Sequence, residues 1–134
     1  MTQVVVPVRY PLTEHSRTTL AEAIDIAAED DAALTVLHVD LYQGGGSVTR
    51  GQLKDAVEDE FGRLPNARYV VRSGLLVEET ILEEVAAEGA DVVVIGKKQV
   101  SRWREMIRRL VDDPDVEHFL EDELDARVVT VTPS

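Results

Sequence analysis

Two kinds of hydrophobic pattern alternate along this chain. Short runs of β-branched and apolar residues, such as 3–8 and 91–96, show little polar alternation, which is typical of parallel strands covered on both faces. Longer segments between them place apolar residues at steps of three and four, the stripe of an amphipathic helix. The pattern predicts five strands, at 3–8, 34–39, 67–72, 91–96 and 126–132.

The helical segments have recognisable ends. Thr13 is a suitable N-cap for the first helix, and Gly62 stops the second. A fourth helix is predicted over 100–111, before a break at 112–114, and the acidic segment 116–124 is expected to form a fifth. Strands that alternate with helices predict an open three-layer α/β/α sandwich around a parallel sheet, with right-handed crossovers.

Length and composition indicate one compact domain. A chain of 134 residues with 44% hydrophobic residues can bury a single core, and we expect one domain over 1–134. The chain contains no cysteine, which excludes disulfides and thiolate-bound metal. Since no apolar run is long enough to span a membrane and the first residues do not resemble a signal peptide, we expect a cytoplasmic protein.

The charge balance is strongly acidic, with a net charge of −12 at pH 7. Such a surface repels nucleic-acid phosphates and anionic lipid, so we expect no nucleic-acid partner and no direct membrane insertion. Arginine outnumbers lysine by 11 to 3, and this balance resembles the proteins of salt-loving archaea, whose self-repulsion is screened by salt. An ordinary acidic protein from a mesophile is the alternative.

Four segments resemble the universal stress protein family in order and spacing. They are "VVVPVRYPLTEHSRTTLAEAIDIA", "ALTVLHV", "GLLVEETILEEVAAEGADVVVIG" and "ARVVTV". The resemblance implies the adenine-nucleotide α-hydrolase-like strand order 3-2-1-4-5 and a homodimer joined through the last strand. It also implies a nucleotide crevice at the carboxyl ends of strands one and four, where the general rule for open α/β sheets places a ligand.

The chain departs from the ATP-binding members of that family at two positions. Where those members have a carboxylate after the first strand, this chain has Arg9. Where they continue with a glycine-rich phosphate loop, it has Gly96 followed by no further glycine. Because every other residue carries a Cβ that obstructs close backbone approach, ATP is disfavoured and no resident cofactor is expected.

One basic cluster follows the fourth strand of this acidic chain. Its members are Lys97, Lys98, Arg102, Arg104, Arg108 and Arg109. Together with Arg9 and Gly96, the residues Lys97, Lys98 and Arg102 are candidates for an anion or nucleotide site built from side-chain cations. The alternative is that the cluster forms ion pairs with the acidic segment 112–123 or with a partner subunit.

Other residues able to do chemistry favour structural roles. His15 is expected at the start of a helix and His38 at the end of a strand, while His118 lacks metal-ligand spacing. Trp103 favours a core or dimer contact over stacking on an adenine, and the glycines at 44–46 favour a surface loop over a phosphate loop. A solvated helix face is predicted for Glu78, Glu79, Glu83 and Glu84.

The last strand presents an apolar edge formed by Val128, Val129 and Val131. Exposed strand edges are normally paired or protected, so these residues are predicted to join two copies through a twofold axis. The leading hypothesis is a stress-response protein that acts by binding, without catalysis or ATP hydrolysis. The alternatives are a nucleotide- or anion-dependent switch that uses the basic cluster, and a regulatory module that docks on a transporter or another protein partner.

Overall fold

The computed structural model describes residues 2–41, 48–108 and 116–132. Some of the predictions above concern residues outside these ranges, namely 44–46, Arg109 and 112–114. The strands are β1 (Gln3–Pro7), β2 (Ala33–Leu41), β3 (Ala67–Gly74), β4 (Val92–Gly96) and β5 (Arg127–Val131). The helices are α1 (Glu14–Glu29), α2 (Arg50–Phe61), α3 (Val77–Glu88), α4 (Lys97–Arg108) and α5 (Val116–Leu124).

The five strands form one parallel sheet in the order β3-β2-β1-β4-β5. The fold class predicted from the alternation of strands and helices is therefore confirmed, as is the strand order implied by the resemblance. From the central strand β1, the chain builds the sheet to one side with β2 and β3 and then to the other side with β4 and β5. Because the strand order reverses at β1, a crevice opens at the carboxyl ends of β1 and β4. No helix of the described part is long and apolar enough to cross a bilayer.

Each face of the sheet packs against its own hydrophobic layer. On one face α1 and α2 cover the sheet, with Leu20 and Leu53 fully buried against strand residues such as Val6. On the other face α3, α4 and α5 cover it, and Trp103 is the largest fully buried side chain. Val5 faces this second layer, so successive residues of β1 serve both cores, which explains why its sequence shows no polar alternation.

Local signals explain where most of the helices begin and end. The Thr13 hydroxyl accepts a hydrogen bond from the Ser16 amide at 3.1 Å, which confirms the predicted N-cap of α1. Gly62 follows α2 with a positive φ of 76°. The start of α4 differs from the prediction: it begins at Lys97, directly after β4, because its polar first residues carry no apolar signal.

One predicted solvated residue is buried. Glu84 of α3 is only 6% exposed, and its Oε2 atom pairs with Nε of Arg72 on β3 at 2.9 Å. Glu88 pairs with Arg68 of the same strand. The prediction of a solvated face was wrong for Glu84, since the partner that compensates its burial comes from a strand distant in sequence.

The hydroxyl of Tyr69 is buried on β3 and has no hydrogen-bond partner among residues 2–41, 48–108 and 116–132. Burial and the nearby carboxylate of Glu58 raise its pKa. We expect Tyr69→Phe to raise the free energy of unfolding by about 1 kcal/mol at neutral pH, because it removes an unsatisfied polar group. Urea unfolding followed by circular dichroism checks this, and a loss of stability above 1 kcal/mol would contradict it.

The same tyrosine makes stability depend on alkaline pH. Above the ordinary phenol pKa of about 10 the unfolded chain releases the Tyr69 proton while the folded chain keeps it. Stability is therefore present below that pH and is lost as the pH rises toward the raised pKa. The phenylalanine variant should lose less stability than the parent over this alkaline range.

Candidate functional site

A pocket of about 450 Å³ opens at the carboxyl ends of the strands. The ends of β1, β2 and β4 form its floor, and the first turns of α1, α3 and α4 surround it. We call it the cationic pocket, and its lining includes Val8, Arg9, His38, Gly96, Lys98 and Arg102. Its position is the one that the topology of the sheet favours for a ligand.

Three positively charged side chains line the cationic pocket. Arg9 follows β1, while Lys98 and Arg102 lie four residues apart on one face of α4. Within the described part of the chain, none of the three forms an ion pair. Residues 112–115 of the acidic segment lie outside the described residues, so the alternative of ion pairs with that segment or with a partner subunit stays a prediction. Lys97 is exposed and does not line the pocket.

The turn between β1 and α1 positions Arg9. The Arg9 amide donates a hydrogen bond of 3.0 Å to Oγ of Ser16, and the hydroxyl of Thr13 lies 3.1 Å from the same atom. Ser16 is 7% exposed and lines the pocket. These bonds fix the backbone of Arg9 at the mouth of the pocket, while its exposed side chain keeps the freedom to reach a ligand.

Contacts with α3 fix the start of α4. The indole of Trp103 donates to the carbonyl oxygen of Glu78 at 3.3 Å, and the Gln99 side chain donates to the Glu78 carboxylate at 3.3 Å. Trp103 is fully buried and does not line the pocket, so its predicted role in the core is confirmed and it is not available to stack on a base. The helix that carries two of the pocket cations is thus held in place.

The first turn of α4 has an unfavourable charge arrangement. It contains Lys97 and Lys98 and no acidic residue, although the amino end of a helix carries partial positive charge. Cations at this end oppose the helix dipole, whereas an anion placed there would interact favourably with Lys98 and with the free amides. Local arrangements that cost stability are expected at functional sites.

Gly96 is explained by packing and not by a backbone cradle. A Cβ at this position would lie 3.1 Å from Oγ1 of Thr19, and the backbone φ of Gly96 is not in the left-handed region. The glycine therefore lets β4 approach α1 closely. Because α4 begins at the next residue, there is no loop between β4 and α4 that could wrap a chain of phosphates.

Two histidines also line the pocket, and sequence reasoning assigned them only structural roles. His15 lies in the first turn of α1, and His38 lies inside β2 and not at its end. The ring of His38 contacts the Val8 carbonyl oxygen through Nδ1 at 3.1 Å and Oδ1 of Asp40 through Nε2 at 2.9 Å. The polar residues His38 and Asp40 lie two positions apart near the carboxyl end of a mostly apolar strand, and this spacing was the signal that could have revealed the face.

The opposite side of the pocket is apolar. Val39 and Leu41 end β2, and Val77 and Ile81 of α3 stand beside them. Because β2 and β4 flank β1 on opposite sides, this apolar wall faces the cations that follow β4. The arrangement suits a ligand with one compact anionic group and one apolar or aromatic group.

Among residues 2–41, 48–108 and 116–132 no group of three histidine, cysteine, aspartate or glutamate side chains is placed to hold a metal ion. His118, which was predicted to lack metal spacing, lies on α5 and contacts Asp122 at 3.3 Å.

The last strand of the sheet, β5, pairs with β4 on one side. Val128 is 7% exposed and belongs to the core beneath α3, α4 and α5, so its side chain serves its own chain. Val129 and Val131 are partly buried against the core on the α1 face. A contact between two copies would therefore use the backbone edge of β5 and the exposed parts of these two valines.

Comparison with solved structures defines the class of fold. A universal stress protein of Lactobacillus plantarum superposes with a TM-score of 0.63 at 19% identity, covering 97% of this chain and 97% of that one. A universal stress protein in complex with cAMP gives 0.59 at 20% identity, with 99% and 98% covered. A universal stress protein family protein of Arabidopsis thaliana with AMP bound gives 0.61 at 16% identity, with 100% and 93% covered.

The chain therefore has the universal stress protein fold, and the resemblance seen in the sequence is confirmed at the level of the fold. No protein-family model and no curated protein matches the sequence.

Proposed function

We propose that this chain is a stress-response protein of the universal stress protein family that binds a small phosphate-bearing ligand. The observation that carries the proposal is the convergence of Arg9, Lys98 and Arg102 on one pocket in a chain whose net charge is −12. Three cations gathered at the carboxyl ends of strands, beside a helix amino end, favour an anion. The protein acts by binding and does not hydrolyse its ligand.

A ligand with one phosphate fits this site better than a triphosphate. Lysine and arginine side chains can hold a single phosphate through charge-assisted hydrogen bonds, whereas a triphosphate chain needs many backbone amides. The fold neighbours include one complex with cAMP and one with AMP, both of which carry one phosphate. The apolar wall formed by Val39, Leu41 and Ile81 would receive the base.

Isothermal titration calorimetry with AMP, cAMP, ATP and inorganic phosphate tests the proposal. We expect at least one of the two mononucleotides to bind, with ATP no tighter and inorganic phosphate weaker. Incubation with ATP should release no ADP. The proposal is wrong if neither mononucleotide binds, or if ATP binds at least tenfold more tightly and is hydrolysed.

We also propose that two copies associate through β5, the last strand of the sheet. Pairing of this strand with its twofold copy would satisfy backbone groups at the sheet edge. Val129→Lys should produce a monomer in light scattering, because it places a charge against the partner strand. Arg127→Lys on the same strand keeps the charge and should remain dimeric.

Circular dichroism must first show that both variants are as fully folded as the parent, and their masses are then compared. A folded Val129→Lys protein with the same mass as the parent would contradict this interface.

A further inference from the structure

His38 and Asp40 form a buried polar pair in the wall of the cationic pocket. Their side chains are only 10% and 14% exposed. Nδ1 of His38 lies 3.1 Å from the carbonyl oxygen of Val8, and Nε2 lies 2.9 Å from Oδ1 of Asp40. The other oxygen of Asp40 accepts a hydrogen bond from the Val48 amide at 2.7 Å. The pair thereby connects the end of β1 with the segment that precedes α2.

The partners of His38 determine how many protons the pair holds. A neutral imidazole has one N–H group and can donate one hydrogen bond. The Val8 carbonyl can only accept, and an ionised Asp40 can only accept. Both contacts are hydrogen bonds only when the pair holds one additional proton, on the imidazole or on the carboxyl group.

Loss of that proton would change the pocket in two ways. The net charge of the pair would pass from zero to −1, which opposes an anion bound nearby. One ring nitrogen lone pair would then face an oxygen atom in a buried site, where an unsatisfied contact is costly. The change of charge acts directly against the anion, whereas the unsatisfied contact favours the form of the pair that holds the additional proton.

We propose that the His38–Asp40 pair makes ligand binding in the cationic pocket proton-linked, so that the pocket holds its anion when the pair carries the additional proton. The inference rests on the proposed function, since it requires that the pocket bind an anion. It adds a property that the three cations alone do not supply, because lysine and arginine keep their charge over the range in which histidine titrates.

The charged and titratable groups around the pair come from several elements. Tyr10 stands edge-on to the His38 ring with centroids 6.2 Å apart. The pocket also receives Arg9 from the β1–α1 turn, His15 from α1, and Lys98 and Arg102 from α4, while α3 supplies only apolar residues. Of these, His15 carries the other imidazole of the pocket, so it is the source of pH dependence that must be separated.

Cyclic AMP is a suitable probe because its phosphodiester keeps one charge between about pH 5 and 8, the range in which histidine titrates. In calorimetry with buffers of different ionisation enthalpy, binding should take up protons, and the affinity should fall with rising pH by at most about tenfold per unit. His15→Gln is the matched control and should keep this dependence.

Two variants remove the additional proton in different ways. Asp40→Asn retains an oxygen for the Val48 amide and supplies an N–H group for Nε2 of a neutral His38, so cyclic AMP should bind with no dependence on the pair. His38→Gln should also lose the dependence. Because asparagine has the same shape as aspartate, Asp40→Asn should fold even if His38→Gln does not, and it then tests the inference by itself.

A second measurement separates this inference from the proposed function. Nitrogen NMR of the His38 ring and carbon NMR of the Asp40 carboxyl group, both on the ligand-free protein, should show either two N–H groups on His38 or a protonated Asp40 beside a neutral ring. A neutral His38 beside an ionised Asp40 at the pH of tightest binding, with cyclic AMP binding that is independent of pH, overturns the inference and leaves the proposed function standing. Absence of binding by every nucleotide overturns both.

Discussion

Replacing both pocket cations of α4 with alanine is expected to lower the affinity for AMP by at least about 100-fold. Each charge-assisted hydrogen bond is worth about 1.5–3 kcal/mol, so the loss of Lys98 and Arg102 removes at least about 3 kcal/mol. Both side chains line the pocket and neither forms an ion pair among the described residues, so the double variant leaves no such partner unsatisfied. Calorimetry with AMP measures the effect.

A matched double variant separates local contacts from net charge. Lys97→Ala/Arg104→Ala removes the same two charges from the same helix, but both side chains are exposed and outside the pocket. Its affinity for AMP should stay within about threefold of the parent, since exposed charges are screened by salt. Equal losses in the two variants would show that net charge alone attracts the ligand, and no loss in either would place the ligand elsewhere.

Trp103→Ala is expected to reduce the free energy of unfolding by about 3–5 kcal/mol. Trp103 is the largest fully buried side chain, and it joins the cores of α3, α4 and the sheet. A domain of this size has about 5–15 kcal/mol in total, so the variant would retain only part of its stability. Trp103→Phe keeps most of the volume and should lose less than half as much.

Urea unfolding followed by circular dichroism is the suitable measurement, because the chain has one tryptophan and the variants lose its fluorescence. A loss below about 1 kcal/mol for Trp103→Ala would contradict the packing described for α4. The phenylalanine variant should also bind AMP as the parent does, since it leaves the pocket cations on the same helix.

The fold could be predicted because its signals are local. Unbroken apolar runs such as 91–96 mark strands covered on both faces, and stripes at three- and four-residue steps mark the helices between them. The N-cap Thr13 and the stop at Gly62 are also local features. The strand order came from the resemblance to a family and not from the pattern itself.

The site could be predicted only in part, because its details depend on contacts between distant elements. The basic cluster was visible, but only the start of α4 decides that Lys98 and not Lys97 lines the pocket. The role proposed for the His38–Asp40 pair depends on the carbonyl of Val8, which follows β1 and is distant in sequence. The burial of Glu84 likewise depends on Arg72 of β3, and the sequence of α3 alone cannot predict that partner.

The proposed site exchanges one means of holding phosphate for another. Backbone amides at a glycine-rich loop provide many fixed donors, whereas lysine and arginine side chains provide charge on flexible stems. We therefore expect ligand affinity to fall with ionic strength more steeply than in a site built from backbone amides. Such a site would favour a compact phosphate group over an extended triphosphate.

The most direct test of this account is a crystal structure of the protein with AMP bound. We expect density for the phosphate within hydrogen-bond distance, about 3 Å, of the Lys98 ammonium and the Arg102 guanidinium, at the carboxyl ends of β1 and β4. A nucleotide seated away from these two side chains, or a pocket that stays empty at saturating AMP, would contradict the central claim.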